Sequence, residues 1–280
     1  NRFNVKKVAV LGAGVMGAQI AAHLVNCKVP VVLYDLAAKE GHKNGIVLKA
    51  IDNLKKLKPA PLAAAEDAAL IEVANYDDGL KKLKGCDLVI EAIAERMDWK
   101  SDLYHKIAPF VAKHAILASN TSGLSITRLS EALPEQLRPR FCGIHFFNPP
   151  RYMHLVELIA TPTTQAQVQD QLEAFVTSAL GKGVVRAKDT PNFIANRVGT
   201  AGMLGTMKEV EKFGLTFDVV DDLTGKRLGR ASSGSFRTID VVGLDTVGHV
   251  IKTLQDNLSA ETDSFYPTFG TPEVLKKLIE

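Results

Sequence analysis

The segment "VAVLGAGVMG" (8–17) constrains the fold more than any other stretch of the chain. A short apolar run, read as a strand, ends in glycines at G-x-G-x-x-G spacing, Gly12, Gly14 and Gly17, and a helical pattern over 15–27 follows. Gly12 permits a tight turn, Gly14 lets the backbone approach a ligand closely, and Gly17 lets the helix pack against the strand. The free N–H groups opening that helix face outward to an anion, so a pyrophosphate is the expected guest. Glycines at this spacing also arise by chance. Here a second apolar segment, "VPVVLYD" (29–35), ends in Asp35. A carboxylate at that place accepts both hydroxyls of an adenosine ribose and repels a 2′-phosphate. The expected cofactor is therefore NAD rather than NADP, and the competing reading is a tight turn without a ligand.

Strand–helix alternation continues beyond the glycines. Strand candidates fall at 7–11, 29–35, 86–93, 115–120, 140–147, 154–159 and 183–188, mostly as continuous apolar runs. Strands buried on both faces read this way. Helical patterns lie at 15–27, 45–57, 98–112, 125–133 and 165–180. The order predicts an α/β fold, a Rossmann-type doubly wound and mainly parallel sheet. The character changes at "KDTPNFIANR" (188–197), where Thr190 suits an N-cap and Pro191 a first helical position. Only helical patterns follow, at 191–213, 217–228, 238–257 and 272–280. Two domains are expected, a nucleotide-binding domain over 1–188 and an all-helical one over 189–280.

Composition excludes several classes. With 34 basic and 31 acidic residues in 280, the net charge of +3 is too small and scattered to attract nucleic acid. No apolar run approaches the ~18 residues of a membrane span. The N-terminus has neither an initiator Met nor the layout of a signal peptide. Cys27, Cys86 and Cys142 are too few and too scattered for a disulfide framework or a zinc site. Inert buried thiols and an intracellular protein are expected, in a bacterial cytoplasm before a mitochondrial or peroxisomal matrix.

The stretch "HFFNPPRYMHLVE" (145–157) sets a histidine and a glutamate among apolar residues, with two prolines turning the chain between them. Taken alone, such a pair is more often a satisfied core pair than a catalytic one. Other blocks change that reading. "LGAGVMG", "EAIAE" (91–95), "SNTSGLSI" (119–126), "GIHFFNPP" (143–150), "HLVELI" and "KDTPNFIANR" stand in order along almost the whole chain. In this the sequence resembles the L-3-hydroxyacyl-CoA dehydrogenases, and the "HFFNP" and "DTPNFIANR" blocks are far more specific than the glycines.

The resemblance implies NAD-dependent oxidation of a 3-hydroxyacyl-CoA, with a helical second domain that often dimerises. It implies His145 as catalytic base and Glu157 as its acidic partner. Ser122 would bond near substrate and nicotinamide, and Asn196 would reach the reacting centre from the helical domain. Glu95, Lys100 and Asn148 would line the nicotinamide half of the cofactor. Chemistry supports the base independently. Oxidising a secondary alcohol requires a proton acceptor, and imidazole, ordinarily titrating near ~6.5, suits that task. A carboxylate on its far nitrogen fixes the tautomer and stabilises the imidazolium. No G-x-S-x-G elbow surrounds Ser122, so a nucleophilic serine is not expected. His154 has no matching role and reads as structural.

Lys49 and Lys56, seven residues apart in the helical pattern 45–57, share a face where the resemblance implies coenzyme A phosphates. A partner subunit or a larger multifunctional chain is also expected. Two stretches depart from the family pattern. "SSGSFRTIDVVGLD" (232–245) replaces a "PMGPFELLD" type of segment, and Gly199, Gly202 and Gly205 recur within one helical pattern. Each such glycine costs about 1 kcal/mol against Ala, so close packing or a ligand passage is expected there. The competing readings are a dehydrogenase of a free 3-hydroxy acid and a dinucleotide-binding protein without activity.

Overall fold

The computed structural model describes residues 4–279. The chain divides after Asp189 into two compact units, each with its own apolar core. The first unit runs β1 (Val8–Leu11), α1 (Val15–Asn26), β2 (Val31–Asp35), α2 (Gly45–Leu54), β3 (Ile71–Asn75), β4 (Leu88–Glu91) and α3 (Met97–Ile107). It continues through β5 (Ile116–Ser119), α4 (Ile126–Glu131), β6 (Phe141–Phe146), β7 (Leu155–Ile159), α5 (Ala166–Ser178) and β8 (Gly183–Ala187). Among the described residues eight strands form one sheet, ordered β3-β2-β1-β4-β5-β6-β7-β8.

Every neighbouring pair is parallel except β6 with β7. The expected Rossmann-type, mainly parallel sheet is what the chain forms. The chain winds outward from β1 to β3, then returns to lay β4 on the other side of β1. That reversal opens a crevice beyond the carboxyl ends of β1 and β4.

Burial explains the continuous apolar runs. Strands β1, β4 and β5 are buried at every position, and each buried Val or Leu contributes about 1.5–3 kcal/mol. Helix α1 docks on them closely. A Cβ at Gly17 would stand 1.8 Å from the carbonyl oxygen of Gly12, so no other residue permits this approach. Gly12 itself has φ +103°, in the left-handed half of the map that L side chains avoid.

Strand β3 has no counterpart in the sequence reading. Its "IEVAN" is interrupted by Glu72, which faces outward to Lys7 and, at 2.7 Å, to Lys82. β3 pairs only with β2, and an edge strand does not need a continuous apolar run. Helix α2 stops at Leu54, so Lys56 lies in the turn beyond it and the shared-face argument with Lys49 does not hold.

The second unit is helical in its regular structure, with α6 (Ala195–Phe213), α7 (Phe217–Thr224), α8 (Phe236–Val242), α9 (Leu244–Asn257) and α10 (Glu273–Ile279). Leu204, Met207, Ile239, Ile251 and Leu254 are among its core. The N-cap expected at Thr190 is not formed. Asn192 and Phe193 adopt φ of +57° and +52°, which no helix accommodates, and α6 begins at Ala195. Asn192 Nδ2 ties this turn to Val250 O at 3.1 Å. The pattern over 238–257 is broken at Gly243, φ +95°, into α8 and α9. A Cβ at Gly199, Gly202 or Gly205 would meet nothing within 4 Å, so among the described residues these glycines make no close packing within the chain. Among the described residues no helix is long and apolar enough to cross a membrane.

Candidate active site

A cleft of about 510 Å³ opens where the strand order reverses. Gly12 and Gly14 line it from the turn after β1, Asp35 from the end of β2, and Ala92, Ile93 and Ala94 from the segment after β4. Leu36, Trp99 and Leu103 supply apolar walls. A Cβ at Gly14 would meet nothing within 4 Å, which leaves bare backbone facing the opening. The Asp35 carboxylate is held in place, with Oδ2 accepting from Ala13 N–H and Oδ1 from Leu36 N–H, both at 2.7 Å. A carboxylate retains further lone pairs for hydroxyl donors. Open backbone, an acceptor at one end and apolar walls fit a dinucleotide.

The cleft wall leads into a second set of groups. Glu95, directly after Ala94, accepts from Thr121 Oγ1 at 2.5 Å and from Ser122 N–H at 3.0 Å. Ser122 Oγ in turn lies 2.9 Å from His145 Nε2, and His145 Nδ1 lies 2.8 Å from Glu157 Oε2. The pairing of β6 with β7 places His145 directly opposite Glu157. Residues opposed in an antiparallel ladder point to the same face, within side-chain reach. His145 is 3% exposed and Glu157 fully buried. A carboxylate only accepts, so Nδ1 carries the proton; the Nε2 lone pair is then the acceptor for the Ser122 hydroxyl. The Phe147 ring flanks the imidazole, with centroids 4.5 Å apart.

The remaining sequence candidates fall in different places. Lys100, expected along the nicotinamide half of a cofactor, is instead fully buried, with its ammonium 2.6 Å from Glu91 Oε1 and 3.4 Å from Ile93 O. It sits beneath the cleft wall rather than on its surface, because β4 ends in a carboxylate that the apolar core cannot leave uncompensated. Asn148 accepts from Gln19 Nε2 of α1 at 3.1 Å. Lys49 and Lys56 are exposed. Asn196 is the second residue of α6, in the other unit.

Sequence reasoning singled out Lys100 but missed its partner Glu91 and the Tyr104 and Ser119 hydroxyls that donate to the same carboxylate, and also Tyr76, Trp99, Asp102 and Lys106 along the cleft. The spacing of Trp99, Asp102 and Lys106, one helical face of α3, is the signal that could have found three of them. The thiols are all free. Burial pushes Cys86 up to about 11 and Cys142 up to about 12, and raises Cys27 as well.

A sheet that reverses over a glycine turn, with an imidazole acceptor linked to the cleft wall, is the plan of a Rossmann-type dehydrogenase. Residues 7–190 match the pattern described as "3-hydroxyacyl-CoA dehydrogenase, NAD binding domain", and residues 193–280 match that family's C-terminal domain. A probable 3-hydroxyacyl-CoA dehydrogenase of Deinococcus radiodurans is 48% identical over 249 residues, covering 89% of this chain and 72% of the relative. Another, from Bacillus subtilis, is 39% identical over 99% of this chain, which spans only 37% of that longer relative. The crystal structure of (S)-3-hydroxybutyryl-CoA dehydrogenase from Ralstonia eutropha superposes with a TM-score of 0.77 at 28% identity, covering 99% of this chain and 94% of that one. The chain belongs to the 3-hydroxyacyl-CoA dehydrogenase family, and its cofactor is NAD.

Proposed function

We propose that the chain oxidises the 3-hydroxyl of (S)-3-hydroxyacyl-CoA thioesters, with His145 as general base. The observation that carries this reading is the run from Ser122 Oγ through His145 to Glu157, at 2.9 and 2.8 Å. An alcohol carbon gives up hydride readily only as its hydroxyl proton leaves. His145 Nε2 takes that proton, and the Ser122 hydroxyl, which donates to the same nitrogen, marks the direction from which a substrate hydroxyl donates. Glu157 holds the tautomer and stabilises the imidazolium that forms. NAD, held by the glycine turn and Asp35, would supply the hydride acceptor for C3.

Gly12, Gly14, Gly17 and Asp35 serve the adenosine and pyrophosphate end of the cofactor, and Glu95 and Asn148 its nicotinamide end. Lys100 supports that end from below through Glu91 and the Ile93 carbonyl. Asn196 is a further proposed substrate residue, carried over from the family resemblance. Lys49 and Lys56, exposed and cationic, suit the phosphates of coenzyme A. Phe213, Leu228 and Val241 of the second unit are each more than 60% exposed, which favours a second copy of the chain as partner. A relative from Rickettsia felis, 40% identical and named a putative fatty acid oxidation complex trifunctional enzyme, favours a multifunctional context as the other form of assembly.

Replacing His145 tests the reading. His145→Gln is expected to lower kcat by at least the ~10²–10⁴-fold of general-base catalysis, with NAD affinity unchanged. Turnover of a 3-hydroxyacyl-CoA within a fewfold of wild type would require another base.

A further inference from the structure

Tyr76 follows β3 directly and lines the same cleft as Gly12 and Asp35. The residue is only 4% exposed, and its ring stacks on Tyr34 with centroids 6.0 Å apart and planes 11° from parallel. The two phenols differ in one respect. Tyr34 Oη donates to Gly79 O at 3.0 Å, whereas Tyr76 Oη has no hydrogen-bond partner among the described residues. The backbone donor beside it, Gly12 N–H, is directed to Tyr34 O at 2.9 Å. Buried hydroxyls are rarely left unpaired, and an unpaired one on a residue that lines a ligand cleft points to a partner supplied by the ligand.

The chemistry of that partner follows from the neighbours. Burial, and after it the charges of Asp35 and Glu91, push the Tyr76 phenol well above its ordinary range, so it remains a donor. Asp35 can only accept. A ribose hydroxyl that donates to Asp35 keeps oxygen lone pairs free, and a phenolic O–H completes its hydrogen bonding. A phosphate oxygen would satisfy Tyr76 as well, but would have to lie against the Asp35 carboxylate with like charge. We propose that Tyr76 is a cofactor-binding residue whose hydroxyl donates to the adenosine-ribose hydroxyl held by Asp35. This rests on the reading of the cleft as the NAD site.

Calorimetric binding of NAD, ADP, 2′-deoxy-ADP and 3′-deoxy-ADP to the wild type and to Tyr76→Phe tests it. The variant is expected to bind NAD and ADP more weakly by the same factor, about 2- to 12-fold for one neutral hydrogen bond. For one of the two deoxy analogues the difference between variant and wild type should vanish. The ligand-free melting temperature of Tyr76→Phe should be no lower than that of the wild type, since the hydroxyl removed has no partner in the protein. Equal affinities, as an ordered water on the phenol would give, overturn the inference. An equal loss on all four ligands does so too, and a lowered ligand-free melting temperature would mark a structural residue instead. A wild type that binds neither NAD nor ADP would overturn the cofactor reading itself.

Discussion

Glu91 ends β4 with no solvent exposure and accepts from four donors: Ile93 N–H at 2.8 Å, Lys100 Nζ at 2.6 Å, Tyr104 Oη at 2.9 Å and Ser119 Oγ at 2.7 Å. Burial and the Glu91 charge hold the Tyr104 phenol well above its usual range, so it stays a donor. The arrangement ties β4, β5 and α3 together beneath the segment that carries Glu95. Removing one partner of a buried pair leaves the other uncompensated, at about 3–5 kcal/mol. Glu91→Gln should therefore lower the urea midpoint strongly, because the Lys100 ammonium remains. Adding Lys100→Met to that variant should restore much of the loss. A double variant as unstable as the sum of the singles would show that the two residues are not coupled. Nothing in "EAIAERMDWK" announces this network, because its members come from three separate elements.

At the level of elements, α1 meets the approach to β8 through His23, whose Nε2 lies 3.1 Å from Leu180 O. A carbonyl accepts, so Nε2 carries the proton and Nδ1 is bare and buried, without a partner among the described residues. Burial first, and then the Lys182 charge, lower its pKa to about 4, with Arg151 adding to this and the Leu180 bond opposing it. Lys182 in turn holds the turn between β6 and β7, bonding Pro150 O and, at 2.9 Å, Met153 O. The sign of the pH effect follows. In the unfolded chain His23 titrates near ~6.5, so the unfolded state binds the proton more readily. The contribution is complete above that pH and is lost as pH falls towards 4, to a limit of about 3 kcal/mol. Urea unfolding at pH 7 and pH 4.5 should show a smaller pH-dependent loss in His23→Gln than in wild type. Identical losses would assign the acid sensitivity to other groups.

At the scale of the whole molecule, two apolar cores share no residue, one formed within the chain up to Asp189 and one beyond it. Asp189 closes the first unit from within, receiving Ser125 Oγ at 2.7 Å, Ile126 N–H at 3.0 Å and Thr127 N–H at 2.8 Å at the start of α4. An anion at a helix N-terminus is favoured there by the exposed N–H groups. Units with separate cores fold separately. Residues 1–189 alone should give one cooperative unfolding transition and bind NAD as the full chain does. A fragment that fails to fold, or that loses NAD, would show that the second unit completes the first.

What the sequence determined by itself was local and periodic. The Gly12-Gly14-Gly17 turn, the apolar runs of β1, β2, β4 and β5, and the loss of strands after residue 188 all follow from backbone sterics and burial period, which act between near neighbours. His145 and Glu157 could be singled out only because the blocks around them, "HFFNP" above all, resemble those of a known family. Tertiary structure decided everything that depends on who lies beside whom. Antiparallel register set His145 opposite Glu157, the reversal of strand order between β1 and β4 opened the cleft, and packing buried Lys100 on Glu91. The edge position of β3, which carries Tyr76 to the cleft, and the left-handed turn at Asn192 and Phe193 were likewise decided there. The reason is physical. Pairings between distant segments are selected by which arrangement buries the most apolar surface with its polar groups satisfied, and that comparison is made only when the whole chain is assembled.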